Sequence, residues 1–223
     1  MLDWSPIILT LKLALLTTFI LLIISIPLAF WLAHSQSKLK SVVEAIVSLP
    51  LVLPPTVLGF YLLIAFSPSS GFGSFLHHTL GLKLAFSFTG IVIGSVIYSL
   101  PFMVQPIQSG FKSLPPSLLE ASYILGKSKF ETVFKVMLPN IKNAILTGIV
   151  LAFAHTVGEF GVVLMIGGRI PNQTKVISIA IYDEVEKLNY GNADVYSGIL
   201  LGITFLILLV VYFKKNNTFT LFK

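Results

Sequence analysis

Five apolar runs, each near or above the ~20 residues that a helix needs to cross a bilayer, divide this chain: residues 13–33, 45–67, 84–111, 140–168 and 195–213. The second contains Pro50, Pro54 and Pro55, and the fourth is interrupted by His155 and Glu159. Segment 169–194 is polar, with an apolar centre near 176–181 that is too short to cross. Its acids Asp183, Glu184 and Glu186 argue for an aqueous or interfacial helix. The connection 68–83 is rich in Gly and Ser. The pattern predicts an all-α integral membrane protein with about five transmembrane helices, a single domain over 1–223.

Composition agrees: 55% of residues are hydrophobic, 11% are charged, and the mean hydropathy is +0.92. A soluble domain carries about 25% charged residues. The N-terminus has Asp3 and Trp4 and no basic segment, so no cleaved signal peptide is expected. Ten of the fifteen Lys and Arg fall on one side of a five-span arrangement. By the positive-inside rule that side is cytoplasmic, which puts the N-terminus outside and the C-terminus inside. The net charge of +6 therefore reads as orientation and contact with membrane lipid, with no nucleic acid implied. The absence of cysteine removes disulfides, thiol catalysis and zinc–thiolate centres.

The segment 112–139 is a polar, lysine-dotted island on the predicted cytoplasmic side. Ser117 with Glu120 and Ser128 with Glu131 have capping-box spacing. Pro115 and Pro116 stand where proline suits a helix start, and Gly126 where a helix ends in a left-handed residue. The reading is a short helix, a glycine turn and a second helix ending near Pro139. Gly126-Lys127-Ser128 mimics the end of a phosphate-binding loop, but Ala121 stands where that motif needs its first glycine. Direct nucleotide binding is not expected.

Inside the membrane the sharpest residue is Glu159, because a carboxylate there costs several kcal/mol and is functional by default. His155 is four residues earlier, which predicts one helix face. Two such groups are too few for a metal centre. Gly158 and Gly161 allow bending or close approach, and Phe160 lies between. Pro54, Pro55 and Thr56 break span two, so this segment is expected to face protein or a pathway. Thr17, Thr18, Tyr98, Gln105 and Gln108 are further polar candidates. Gly90 with Gly94 and Gly198 with Gly202 have the small-xxx-small spacing of close helix packing, read as chiefly within the chain.

Glu120-Ala121-Ser122, Gly126 and Val136-Met137-Leu138-Pro139 resemble the cytoplasmic EAA loop of ABC importer permeases, with Ser122 in place of an alanine and Val136 of an isoleucine. Leu49-Pro50 through Gly59, Leu151 through Ala154, Gly158 through Gly161, and Ile170-Pro171 with Thr174 resemble the molybdate branch of that family. The resemblance runs over about 11–213. It implies a molybdate permease, with tungstate or sulfate/thiosulfate as alternatives. Glu120, Ala121, Ser122, Gly126, Leu138 and Pro139 would then form the loop that couples to the ATPase. Pro54, Pro55, Thr56, His155, Gly158, Glu159, Phe160 and Gly161 would be the pathway or gate. Relatives often carry arginine at the position of His155. The implied partners are a second copy of the chain, two ATPase subunits that bind ATP and Mg, and an extracytoplasmic oxyanion-binding protein. No cofactor is expected in this chain. The location implied is the bacterial cytoplasmic membrane. Two other classes stay open on residues alone: a membrane enzyme using His155 and Glu159, and a pure anchor for a cytosolic complex.

Overall fold

Lipid offers a backbone no hydrogen bonds, so a chain this apolar satisfies its N–H and C=O groups internally as helix. The computed structural model describes residues 3–219, with side chains through Leu209 apart from Leu80, and among these there is no strand. Of the lysines behind the expected orientation, Lys214 and Lys215 lie beyond the described side chains and Lys223 beyond the described residues.

Two long helices form the centre. α1 (Ser5–His34) and α5 (Phe88–Lys112) run along one another. Leu21 and Leu32 of α1 meet Met103, Val104, Ile107 and Phe111 of α5, all almost fully buried. α8 (Lys142–Val157) lies against both helices. It approaches closely because glycines remove side chains at the seam. A Cβ on Gly110 would stand 2.6 Å from that of Ala144, and one on Gly148 would stand 3.0 Å from the Met103 sulfur.

α2 (Leu39–Val52) and α3 (Pro55–Phe66) replace the single span expected over 45–67. They meet at 114°. Proline disfavours helical geometry in the residue before it, and Leu53 and Pro54 are extended, with ψ of 135° and 136°. Pro55 then opens α3, where its fixed φ fits the first turn. α4 (Gly71–Leu80) turns the Gly/Ser connection into a short helix, capped by the Ser70 side chain and ended by Gly81 at φ +65°.

The fourth apolar run divides into α8 and α9 (Gly161–Gly167). The polar segment after it forms α10 (Ile177–Glu186), and α11 (Tyr190–Phe219) is the last described helix. Among the described residues three helices, α1, α5 and α11, are long and apolar enough to cross a membrane, and the number is five if each of two bent pairs counts as one span. α11 packs on α10 through Tyr196, Ile177 and Ala180, with Ile7 of α1. The Tyr196 hydroxyl donates to the Asp3 carbonyl at 2.8 Å and accepts from the Asp3 N–H at 3.2 Å.

The two glycine pairs part company. Gly90 and Gly94 pack on Ile166 of α9, with the Leu84 carbonyl also against Gly90. Among the described residues nothing lies within 4 Å of where a Cβ on Gly198 or Gly202 would stand. Their stripe is open, contrary to the expected packing within the chain.

Candidate functional site

Two regions gather the residues singled out by the sequence. The first is the hairpin of α6 (Pro116–Ile124) and α7 (Lys129–Asn140). Gly126 sits at φ +74°. Its N–H bonds the Tyr123 carbonyl at 2.9 Å, and that of Lys127 bonds the Ser122 carbonyl at 3.2 Å. These two bonds are the pair that defines a Schellman C-terminus. Ser128 and Glu131 form the expected reciprocal capping box of α7. The box expected at Ser117 is absent. Pro116, with φ already set for helix, starts α6 two residues earlier than a Ser117 cap would, which leaves Ser117 inside the helix and Pro115 as an N-cap without a side-chain bond.

Lys135 bonds Glu131 at 2.7 Å and, with the Ser128 N–H, holds the Glu131 carboxyl down at about 2. A π-helical stretch, Val133–Met137, precedes Pro139. Proline clashes with the carbonyl four residues before it, and the wider turn relieves that clash. Leu138 and Pro139 therefore sit at a change of helix type, and α8 leaves at 72° after Ile141.

Glu120, Ala121 and Gly126 are exposed, and so is a row of large apolar side chains at the tip: Ile124 is 85%, Leu125 77% and Phe130 71% exposed. Ser122 alone of the loop candidates is buried. Thr132 donates to the Ser128 carbonyl at 3.0 Å, so Ser122 is the donor in its 2.9 Å bond to the Thr132 hydroxyl. That bond ties α6 to α7. Thr132→Val should cost about 1–2 kcal/mol, because it strands the Ser122 hydroxyl in the interior, and Ser122→Ala should cost less. A double-mutant cycle on thermal unfolding of the purified protein checks this, with a coupling of about 1 kcal/mol expected.

The second region is a cavity of about 530 Å³ between α3, α5 and the break from α8 to α9. Pro55, Thr56, His155, Gly158, Glu159, Phe160 and Gly161 line it, together with Tyr98. Pro54 stands just outside as the residue before α3. The other polar candidates lie elsewhere. Thr17 and Thr18 are buried in α1 with no hydrogen-bond partner for their hydroxyls among the described residues, Gln105 bonds Ser48, and Gln108 bonds Glu44 at 2.6 Å.

His155 and Glu159 both border the cavity, but they do not share a helix face. α8 ends at Val157, and Glu159 lies in the following break. The residue is 3% exposed, and among the described residues neither carboxylate oxygen has a hydrogen-bond partner. Its main-chain carbonyl accepts from the Ser178 hydroxyl of α10 at 2.7 Å. Gly161 serves close approach, since a Cβ there would lie 2.7 Å from the Pro55 Cβ. Gly158 meets nothing nearer than 3.7 Å.

Apart from Tyr98, the residues that hold His155 are ones that the sequence reading passed over. Ser99 of α5 lies 2.9 Å from its Nδ1, and Thr156 lies 3.0 Å from the same hydroxyl. Phe102 stacks on the imidazole at 4.0 Å and Tyr98 tilts over it at 4.7 Å. A hydroxyl in an apolar run gives little signal, because the same residue can simply bond its own helix. Ser99 and His155 resemble a nucleophile and base, but Ser99 is fully buried and cannot meet a substrate. Among the described residues no cluster of three or more metal-ligating side chains occurs.

At the α10 end, Asp183 is buried and ion-paired to Lys175 at 2.7 Å and to Arg169 at 3.2 Å. This places it inside the packing and not on the watery face that its charge suggested. Arg169 also holds the Glu186 carboxyl below its usual range, and it lies 5.2 Å over the Tyr182 ring. Tyr182 in turn contacts Phe160 at 5.2 Å, so a charged outer layer rests on one wall of the cavity.

The comparisons with known proteins fit this geometry. Residues 25–214 match the model of the "Binding-protein-dependent transport system inner membrane component" family. The molybdenum transport system permease protein ModB of Azotobacter vinelandii is 47% identical over 215 residues, 96% of this chain and 95% of that protein. The sulfate transport system permease protein CysT of Synechocystis is 33% identical over 183 residues, 82% of this chain and 64% of that protein. In fold, the chain is similar to a crystal structure of a bacterial ABC transporter involved in alginate import, with a TM-score of 0.75 at 20% identity, covering 98% of this chain and 79% of that one. The chain belongs to the binding-protein-dependent transport system inner membrane components, the membrane-embedded permease subunits of ABC importers, and carries no ATPase site of its own.

Proposed function

We propose that this chain is the permease subunit that moves molybdate across the bacterial cytoplasmic membrane. The observation that carries the substrate is the 47% identity, across nearly the full length of both chains, to a molybdenum permease. The lower identity to a sulfate permease keeps sulfate as the weaker alternative. In this reading the α6–α7 hairpin is cytoplasmic and α10 faces outside. The exposed tip around Gly126 docks one of two ATPase subunits, which bind ATP and Mg. Glu120, Ala121, Ser122, Leu138 and Pro139 shape that handle. A second copy of the chain completes the pathway, and an oxyanion-binding protein delivers the cargo from outside. The chain spans the membrane several times, in contact with lipid. Closure of the ATPases rocks the paired subunits, so that the cavity at His155 and Glu159 opens alternately to each side.

The test is reconstitution of the chain with its ATPase and binding protein in vesicles. ATP-dependent accumulation of labelled molybdate is expected, little affected by a large excess of sulfate. Preferential accumulation of sulfate, or molybdate flux without ATP, overturns the proposal.

A further inference from the structure

The hydrogen bonds around His155 run in one direction only. The Thr156 hydroxyl donates its single hydrogen to the Ala152 carbonyl at 2.9 Å. It can therefore only accept from Ser99 at 3.0 Å. Ser99 has then spent its own hydrogen, and at 2.9 Å it can only accept from the ring. His155 Nδ1 must carry a hydrogen, whatever the charge of the ring. The other nitrogen, Nε2, has no partner among the described residues, and the residue borders the cavity.

That order has a chemical consequence. A neutral ring with its hydrogen on Nδ1 offers only a lone pair at Nε2. A tetrahedral oxyanion also offers only lone pairs, so the two repel. A ring that gains a proton at Nε2 becomes a donor with a full positive charge. Two aromatic faces stabilise that form once it is made. Phe102 lies face-on at 4.0 Å and Tyr98 at 4.7 Å, and aromatic faces attract cations. No lysine or arginine lines the cavity, so His155 is its one source of positive charge among the described residues.

We infer that His155 contacts the oxyanion as an imidazolium through Nε2–H, with Ser99 and Thr156 as positioning residues that keep Nδ1 as the inward donor. This inference rests on the transport reading above. As the dianion arrives, an N–H bond forms at Nε2 with a proton from the aqueous phase open to the cavity, and the proton is returned when the anion leaves. The other titratable groups lining the cavity are Glu159, in the adjoining break, and Tyr98 on α5. α3 brings Thr56, and α1 and α11 bring none among the described residues.

The test uses the reconstituted importer and two readouts. The first is molybdate moved per ATP hydrolysed, from neutral to mildly alkaline pH, where the charge of the oxyanion is constant. In the unaltered protein this ratio should fall with rising pH, by up to about tenfold per unit once the ring is neutral. His155→Arg, permanently cationic, should flatten the profile at a high level, and His155→Gln should flatten it at a low one. Glu159→Gln should keep the falling profile, and a profile that vanishes there while surviving in the His155 variants overturns the inference. The second readout is the ¹⁵N spectrum of the His155 ring, assigned by its loss in His155→Gln. At alkaline pH it should show the Nδ1–H tautomer, and molybdate should convert it to the doubly protonated ring. Ser99→Ala should mix the tautomers. An Nε2–H tautomer, or a ring unchanged by molybdate while uptake proceeds, also overturns it. If no oxyanion moves at any pH, the transport reading itself fails. If molybdate moves with one profile in all His155 variants, only the present inference fails.

Discussion

Gly126→Pro should leave the protein in the membrane with its ATPase attached and cut ATP-driven uptake at least tenfold, while nucleotide hydrolysis continues. Proline fixes φ near −65°, and residue 126 sits at +74°. The substitution also removes the N–H that bonds the Tyr123 carbonyl at 2.9 Å. Together these should cost about 3 kcal/mol or more locally and re-aim α6 relative to α7. The exposed Ile124, Leu125 and Phe130 would no longer present one surface to the motor subunit. Gly126→Ala separates conformation from contact. A Cβ there meets nothing within 4 Å, so only the left-handed backbone cost of about 1 kcal/mol remains, and a mild defect is expected. Transport and hydrolysis measured side by side in vesicles decide it. Full uptake by the proline variant would remove the coupling role from this turn.

Gly161→Val should have the second large effect, loss of both uptake and thermal stability. The first added carbon would lie 2.7 Å from Pro55 Cβ and 3.6 Å from its backbone carbonyl carbon. Pro55 begins α3 after the 114° bend and cannot yield by rotating a side chain. Either α3 or α9 must move. Overpacking of this kind costs about 1–3 kcal/mol, and it deforms the wall of the cavity that holds Thr56 and Glu159. Gly158→Ala is the control, because its nearest neighbour would be at 3.7 Å, an ordinary contact. Melting of the detergent-solubilised protein and molybdate uptake should both separate the two variants. Equal behaviour would mean that the α3–α9 contact tolerates expansion.

The residues that sequence reading located best are those whose role is local. Gly126 and the Ser128–Glu131 box are fixed by hydrogen bonds within a few positions, so their spacing announces them. α1, α5 and α11 follow from length and apolarity alone. Ser117 failed for a local reason too, since two prolines set the start of α6 before the serine could cap it. The bend at Pro54 was visible as a break, but its angle depends on how α2 and α3 pack on the remaining helices. Ser99 was invisible because its partners are 56 and 57 positions away. His155 and Glu159 were correctly joined in space and wrongly joined on one helix, because the helix stops at Val157 between them. The open stripe at Gly198 and Gly202 shows the limit of small-residue spacing, which reports where a neighbour fits and not whether one is present.

The two hydrogen bonds between Asp3 and Tyr196 span 193 positions of sequence. At ~5–20 residues per second a ribosome needs about 10–40 s to supply the second partner after the first. The end of α1 near Ser5 therefore stays unlatched until Tyr196 has been translated. The packing of α1 on α5 and α8 needs only residues up to Val157, so the core of the bundle can form before this clasp does.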